Sequence, residues 1–172
     1  MHPLTEKQIR ASFVNASRRE ATQATLPELA ALDWDRLDYL GWVDRKAPLL
    51  AYAVVPGTAP DDDAPTGVLL RATDPALRTR RSGVCAWCED VVHTDDVSLY
   101  VARRAGAAGR RGNTVGTLLC TEFLCSRNVR RRPTLAETGR DDADLRAAVI
   151  ERRIQGLRER SARFVAEVLR TA

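Results

Sequence analysis

The sequence predicts an α+β fold, on three observations. Short apolar or alternating segments recur between breaks rich in Pro, Gly and Asp, the pattern of a small antiparallel sheet. Four cysteines fall in two close pairs, Cys85 and Cys88 in VCAWC and Cys120 and Cys125 in CTEFLC, with a hairpin-like segment between them. A long stretch near the C-terminus repeats apolar residues at helical spacing.

Composition sets the frame. At 172 residues the chain is one domain, or one domain with an appendage, and is long enough to bury a core. It is 44% hydrophobic and 29% charged, as soluble globular proteins are. No apolar run approaches the roughly 18–20 residues that cross a bilayer, and MHPLTEKQIRASF holds no apolar signal core. We therefore expect a cytoplasmic protein with no membrane partner. Its thiols would be reduced, which favours a metal over disulfides.

The elements follow in chain order. Thr5 and Gln8 are spaced as a capping box, and Ile9 and Phe13 share a face, so a short helix is expected over about 5–17. Residues 18–27 are polar and carry no clear signal, and Pro27 to Leu32 opens a helical turn. Asp38 to Val43 and Leu49 to Val55 read as two strands joined by a turn over 44–48. A Pro- and Asp-rich loop over 58–66 precedes a third strand, Gly67 to Arg71. Ser98 to Arg103 and Thr114 to Leu119 read as a hairpin, with Leu99 and Val101 on one face. Residues 104–113, RAGAAGRRGN, form its exposed and mobile loop. Glu122 to Arg131 starts a helix that Pro133 stops. After a polar link, Ile150, Ile154, Leu157, Phe164 and Val168 mark the long helix, about 141–170, with Asp141 and Asp142 at its N-terminal end. The expected organisation is a helical segment over 1–32 and an α+β domain over 33–172, with the cysteine-bearing unit at about 84–132.

The cysteines carry the chemistry. Two close pairs with none left over supply the four soft ligands of one tetrahedral Zn²⁺. A knuckle, a hairpin and a helix bearing the second pair make a treble-clef zinc finger. An iron site of rubredoxin type shares this ligand set, because residue type alone does not fix the metal. Four protein ligands leave no open position for water, so the ion is expected to be structural. His93 is the one histidine near the site and the other, His2, is at the chain end, too few for a nuclease of the HNH type. No P-loop, GxGxxG, GxSxG or HExxH motif occurs, so neither an enzyme nor a small-molecule substrate is expected.

Charge points to a partner. The net charge is +4, with acidic residues early (Asp33, Asp35, Asp38 and Asp61 to Asp63). Basic residues gather around the cysteines: Arg78, Arg80, Arg81, Arg103, Arg104, Arg110, Arg111, Arg130, Arg131 and Arg132. Such a face fits an acidic partner, either RNA or a protein surface. Trp87, between two ligands, reads either as an exposed interface anchor or as a lid packed over the metal. Arg103, Arg104, Arg110 and Arg111 read either as partner contacts or as a solvated loop.

The run VSLYVARRAGAAGRRGNTVGTLLCTEFLC, with VCAWC before it, resembles the zinc-binding domain of the elongation factor G-binding proteins, the FusB-type fusidic acid resistance family. LTEKQIRASFVNAS and DYLGW resemble its shorter, stand-alone actinobacterial members. The resemblance implies a treble-clef finger with Cys85, Cys88, Cys120 and Cys125 as ligands. It also implies a non-enzymatic protein that binds elongation factor G, on or near the ribosome, and promotes its release. The better-known resistance proteins carry a full helical bundle ahead of the finger; here only about 30 residues precede the first strand-like segment. An RNA-binding zinc protein acting on rRNA is the alternative that the basic face leaves open.

Overall fold

A computed structural model describes residues 1–57, 64–72, 83–90 and 96–170. Asp61 to Asp63, Arg78, Arg80, Arg81 and His93 lie outside the described residues.

The predicted strands form one five-stranded antiparallel sheet in chain order. They are β1 Leu40–Val43, β2 Leu50–Val55, β3 Thr66–Ala72, β4 Val97–Arg103 and β5 Thr114–Cys120. Strand β2 is apolar throughout because both of its faces are covered. Leu40, Trp42, Tyr52, Val54 and Leu69 point to one face and meet Ile9 and Ala24 of the N-terminal segment. Tyr39, Ala51, Ala53, Val55, Val68 and Leu70 point to the other. There they join Tyr100, Ala102 and Leu119 of the hairpin and the apolar stripe of the C-terminal helix.

That stripe belongs to helix α6, Ala143–Leu169, whose N-cap Asp142 accepts from the backbone N–H groups of Asp144 and Leu145. Ile154, Leu157, Phe164 and Val168 are buried as the periodicity predicts, together with Val149 and Val165, while Ile150 is half-buried at the stripe's edge. No helix of the described residues is long and apolar enough to cross a membrane.

The N-terminal segment departs from the expected single helix. Helix α1, Glu6–Ser12, has the Thr5–Gln8 capping box but stops short of the expected end near residue 17. Phe13 then bridges Gly67 in parallel, and the Val14 N–H donates to the Gly67 carbonyl at 3.0 Å. Gly67 is needed there, because a Cβ would sit 2.4 Å from Ser12 Oγ and 2.8 Å from the Phe13 ring. Asn15 completes the splice. Strands β3 and β4 pair only at Arg71–Val101 and Ala72–Tyr100. Beyond them the Asn15 carboxamide accepts from Leu69 N–H at 2.8 Å and donates to the carbonyls of Leu69 at 3.0 Å and Arg103 at 2.9 Å. One side chain thus does the work of a missing strand residue.

Three further helices went unpredicted. Helix α2, Arg18–Gln23, falls in the polar stretch and has a capping box from Ser17 and Glu20. Helix α3, Gly106–Arg110, forms the hairpin tip, α4, Cys125–Val129, falls within the expected 122–131 span, and the polar link after Pro133 holds α5, Leu135–Thr138, capped by Thr134 and Glu137.

Candidate metal centre

Each cysteine pair sits in a tight turn. Cys85 and Cys88 occupy a knuckle closed by the Glu89 N–H on the Cys85 carbonyl at 2.9 Å. The Ala86 N–H donates to the Leu118 carbonyl at 2.8 Å, which docks the knuckle beside β5. Cys120 is the last residue of β5, and Cys125 the first of a short helix, Cys125–Val129. The expected helix over 122–131 is shorter because the chain first turns through Phe123, whose N–H donates to the Cys120 carbonyl at 3.0 Å. Among the described residues, the only non-glycine residues with positive φ are Glu89, at 53°, and Phe123, at 58°. One lies in each cysteine turn. Backbone strain of this kind persists only where the surroundings hold it, and here it aims sulfurs at a common point.

The four sulfurs lie within 4.8 Å of one another and all four cysteines are buried. Cys85 and Cys125 are 3.6 Å apart, as are Cys88 and Cys120. A tetrahedral zinc with Zn–S of about 2.3 Å requires sulfur separations of roughly 3.8 Å. The donor set therefore fits one structural zinc. Electrostatics explain why a cation is needed. Hydrogen bonds from Cys120 draw the Cys85 and Cys88 thiols below the usual range, while the same cluster pushes Cys125 well up. Four clustered sulfurs cannot all ionise unless a cation replaces their protons.

Neighbours outside the ligand set orient it. Asn128, buried three residues after Cys125, donates from Nδ2 to Cys120 Sγ at 3.4 Å. Tyr39, beside Cys125, is held neutral by burial and then by the charge of the neighbouring sulfurs. Asn128 carried no sequence signal, since its target is visible only once the turn is folded. Removing it should loosen the metal: Asn128→Ala is expected to lose about 10–100-fold in zinc affinity, measured by competition with a chromophoric chelator.

The structure corrects the anchor reading of Trp87. Its side chain is only 1% exposed. It packs edge-on against Tyr39 at 4.8 Å and tilted against Phe164 at 5.8 Å. Arg160 of α6 donates to the Trp87 carbonyl at 2.7 Å and pairs with Glu89 at 2.9 Å. Trp87 is the lid of the centre, and α6 clamps it shut. Gly41 makes the neighbouring room, for a Cβ there would lie 2.5 Å from Phe123 and 2.7 Å from Tyr39.

The arginines divide. Arg130 reaches Asp38 at 2.5 Å, and Arg158 joins the same fully buried carboxylate at 3.2 Å. Arg131 pairs with Asp90 and Glu137, both at 3.4 Å. Asp38 thus joins the finger, through Arg130, to α6, through Arg158, and Arg131 braces the knuckle and the Leu135–Thr138 helix, so all three are internal braces. Arg104 is one as well. It binds the Glu167 carboxylate and carbonyl, both at 2.5 Å, at the C-terminal end of α6, where a cation also meets the helix dipole. Arg103, Arg110 and Arg111 are exposed, and none has an ion-pair partner among the described residues.

The hairpin tip is helical and packed on α6 where an exposed loop was expected. Residues Gly106–Arg110 form a helix with Ala108 and Gly109 buried. The Ala105 N–H donates to the Val168 carbonyl of α6 at 2.8 Å. Gly109 is required because a Cβ would lie 1.8 Å from the Arg104 carbonyl oxygen. Gly112, at φ 89°, makes the return turn.

Sheet, hairpin, knuckle and helix-borne second pair define a treble-clef zinc-finger protein of the α+β class. Residues 8–168 match the family described as FBP C-terminal treble-clef zinc-finger, and the chain belongs to that family. Comparison with curated proteins and with solved structures returns no match.

Proposed function

We propose that this chain binds elongation factor G and promotes its release from the ribosome, acting by binding alone and without covalent chemistry. Membership of the FBP finger family supports this reading, given the resemblance of that finger to elongation factor G-binding proteins. The observation that carries it here is a hairpin tip docked on α6 through Ala105 and Arg104, presenting Arg103, Arg110 and Arg111 exposed and without an ion-pair partner among the described residues. A binding protein shifts its partner only through different affinities for the partner's two states. The protein would therefore prefer the factor conformation that leaves the ribosome.

The basic tip also fits RNA phosphates, but the aromatic side chains argue against an RNA role. All three Trp, three Tyr and three Phe are buried or half-buried, so none offers an open platform for base stacking.

Calorimetry with purified elongation factor G from the same organism tests the proposal. Binding at tens of micromolar or tighter, with weak salt dependence, is the expected result. The charge-reversed Arg110→Glu, Arg111→Glu variant should bind about tenfold more weakly. Absence of binding, or RNA affinity that falls steeply with salt, would remove the elongation-factor reading.

A further inference from the structure

The finger hairpin has a second face that no element among the described residues covers. Residues facing each other across β4 and β5 share a side of the sheet, and Leu99 stands opposite Leu118, Val101 opposite Gly116 and Arg103 opposite Thr114. This face continues the side of β1 to β3 that the N-terminal segment covers. Among the described residues that cover ends at Asn15, whose hydrogen bond to the hairpin is to the Arg103 carbonyl. The core-facing set of β4 is Tyr100 and Ala102, both fully buried, so Leu99 and Val101 are left on the outside.

The uncovered face is apolar at its centre. Leu99 is 41% exposed and Leu118 42%, and the half-buried Val101 lies next to Leu99 on the same side of β4. Above Gly116 the surface is open: a Cβ there would meet only the Leu99 side chain at 3.5 Å and a backbone oxygen at 3.9 Å. Isolated exposed leucines are ordinary, but a cross-strand pair flanked by a valine on one face of a hairpin forms a patch.

The rim is basic. Arg103 projects on this face without an ion-pair partner among the described residues. Arg71, opposite Val101 in register, is half-exposed. Glu20 is the nearby counter-charge, its carboxyl lowered first by the Ser17 backbone and further by Arg71 and Arg103. One carboxylate between two guanidinium groups leaves the rim positive. Aliphatic side chains cannot stack on bases, and two copies of this face would set like charges against each other. An apolar side chain set among carboxylates on a protein surface complements it in both respects.

We propose that the outer face of the β4–β5 hairpin, centred on Leu99 and Leu118, is the anchoring contact for elongation factor G. The assignment rests on the elongation-factor reading above and names the face that reading uses. The arginine tip then steers approach, and the leucine pair supplies the desolvated centre.

The test compares elongation factor G binding by wild type, by L99S/L118S and by the milder single variants Leu99→Gln and Leu118→Gln. Zinc content and melting temperature are checked for each. Both leucines are exposed, so the variants should fold and hold zinc normally. The expected result is at least a tenfold loss of affinity for L99S/L118S and a smaller loss for each single variant. Unchanged affinity in folded, zinc-loaded variants overturns this assignment and leaves the elongation-factor reading intact. Absence of wild-type binding overturns both. Concentration-dependent self-association in sedimentation, abolished by L99S/L118S, assigns the face to a second copy and overturns it as well. So does RNA binding that the double variant loses.

Discussion

Chelation of the metal, or Cys125→Ser, is expected to unfold the finger and with it most of the tertiary structure. The cysteines are not an appendage to the core. Cys85, Cys88, Cys120 and Cys125 belong to the same buried cluster as Tyr39, Trp87, Tyr100, Phe123, Leu157 and Phe164. Structural zinc contributes an apparent ~10–16 kcal/mol in small zinc-finger peptides. A whole domain is stable by only about 5–15 kcal/mol, so losing the ion removes a contribution of the same size as the total. The sign with pH follows from the ligands. Each sulfur must be a thiolate to bind, so acidification releases zinc and destabilises the protein. Near-ultraviolet circular dichroism with and without chelator checks this, because the tryptophan lid should lose its fixed environment. A spectrum and melting temperature unchanged by full metal removal would contradict it.

The second large effect is expected at Trp87. Trp87→Ala should cost about 3–5 kcal/mol through the cavity it leaves, lowering the melting temperature by roughly 6–20 °C for a chain of this size. Trp87→Phe should be far milder. The indole Nε1 is buried without a hydrogen-bond partner among the described residues, and a phenyl ring keeps most of the packing while removing that donor. Thermal melts of both variants read the difference. A lid that acts only on the fold leaves affinity for the partner unchanged where the variant is still folded. A Trp87→Ala protein with normal stability and lost partner binding would restore the anchor reading.

What the sequence showed and what it hid separate along physical lines. The metal site was legible because its determinants are local: two close pairs of one residue type, separated by a hairpin. Helix α6 and strand β2 were legible because periodicity and apolar runs survive whatever packs against them. The fate of Trp87 was not legible, because its neighbours arrive from Tyr39 and from Phe164, at opposite ends of the chain. The roles of Arg104 and Arg130 were hidden for the same reason, with carboxylate partners 63 and 92 residues away. Asn15 bridges 54 and 88 residues to reach Leu69 and Arg103. The hairpin tip was misjudged because glycine reads as freedom, whereas Gly109 is present for close approach to the Arg104 carbonyl. By contrast, the capping boxes at Ser17–Glu20 and Thr134–Glu137 were available in the sequence as S/T-x-x-E and simply lacked an apolar stripe to draw attention to them.

The claim on which all of this depends is that one zinc ion, held by four thiolates and closed to solvent, organises the domain. Elemental analysis of untagged protein tests it most directly. The account predicts one equivalent of zinc per chain in the wild type and a folded protein only while that zinc is retained. A well-folded protein that carries no metal, or a Cys125→Ser variant that keeps a full equivalent of zinc, would contradict it.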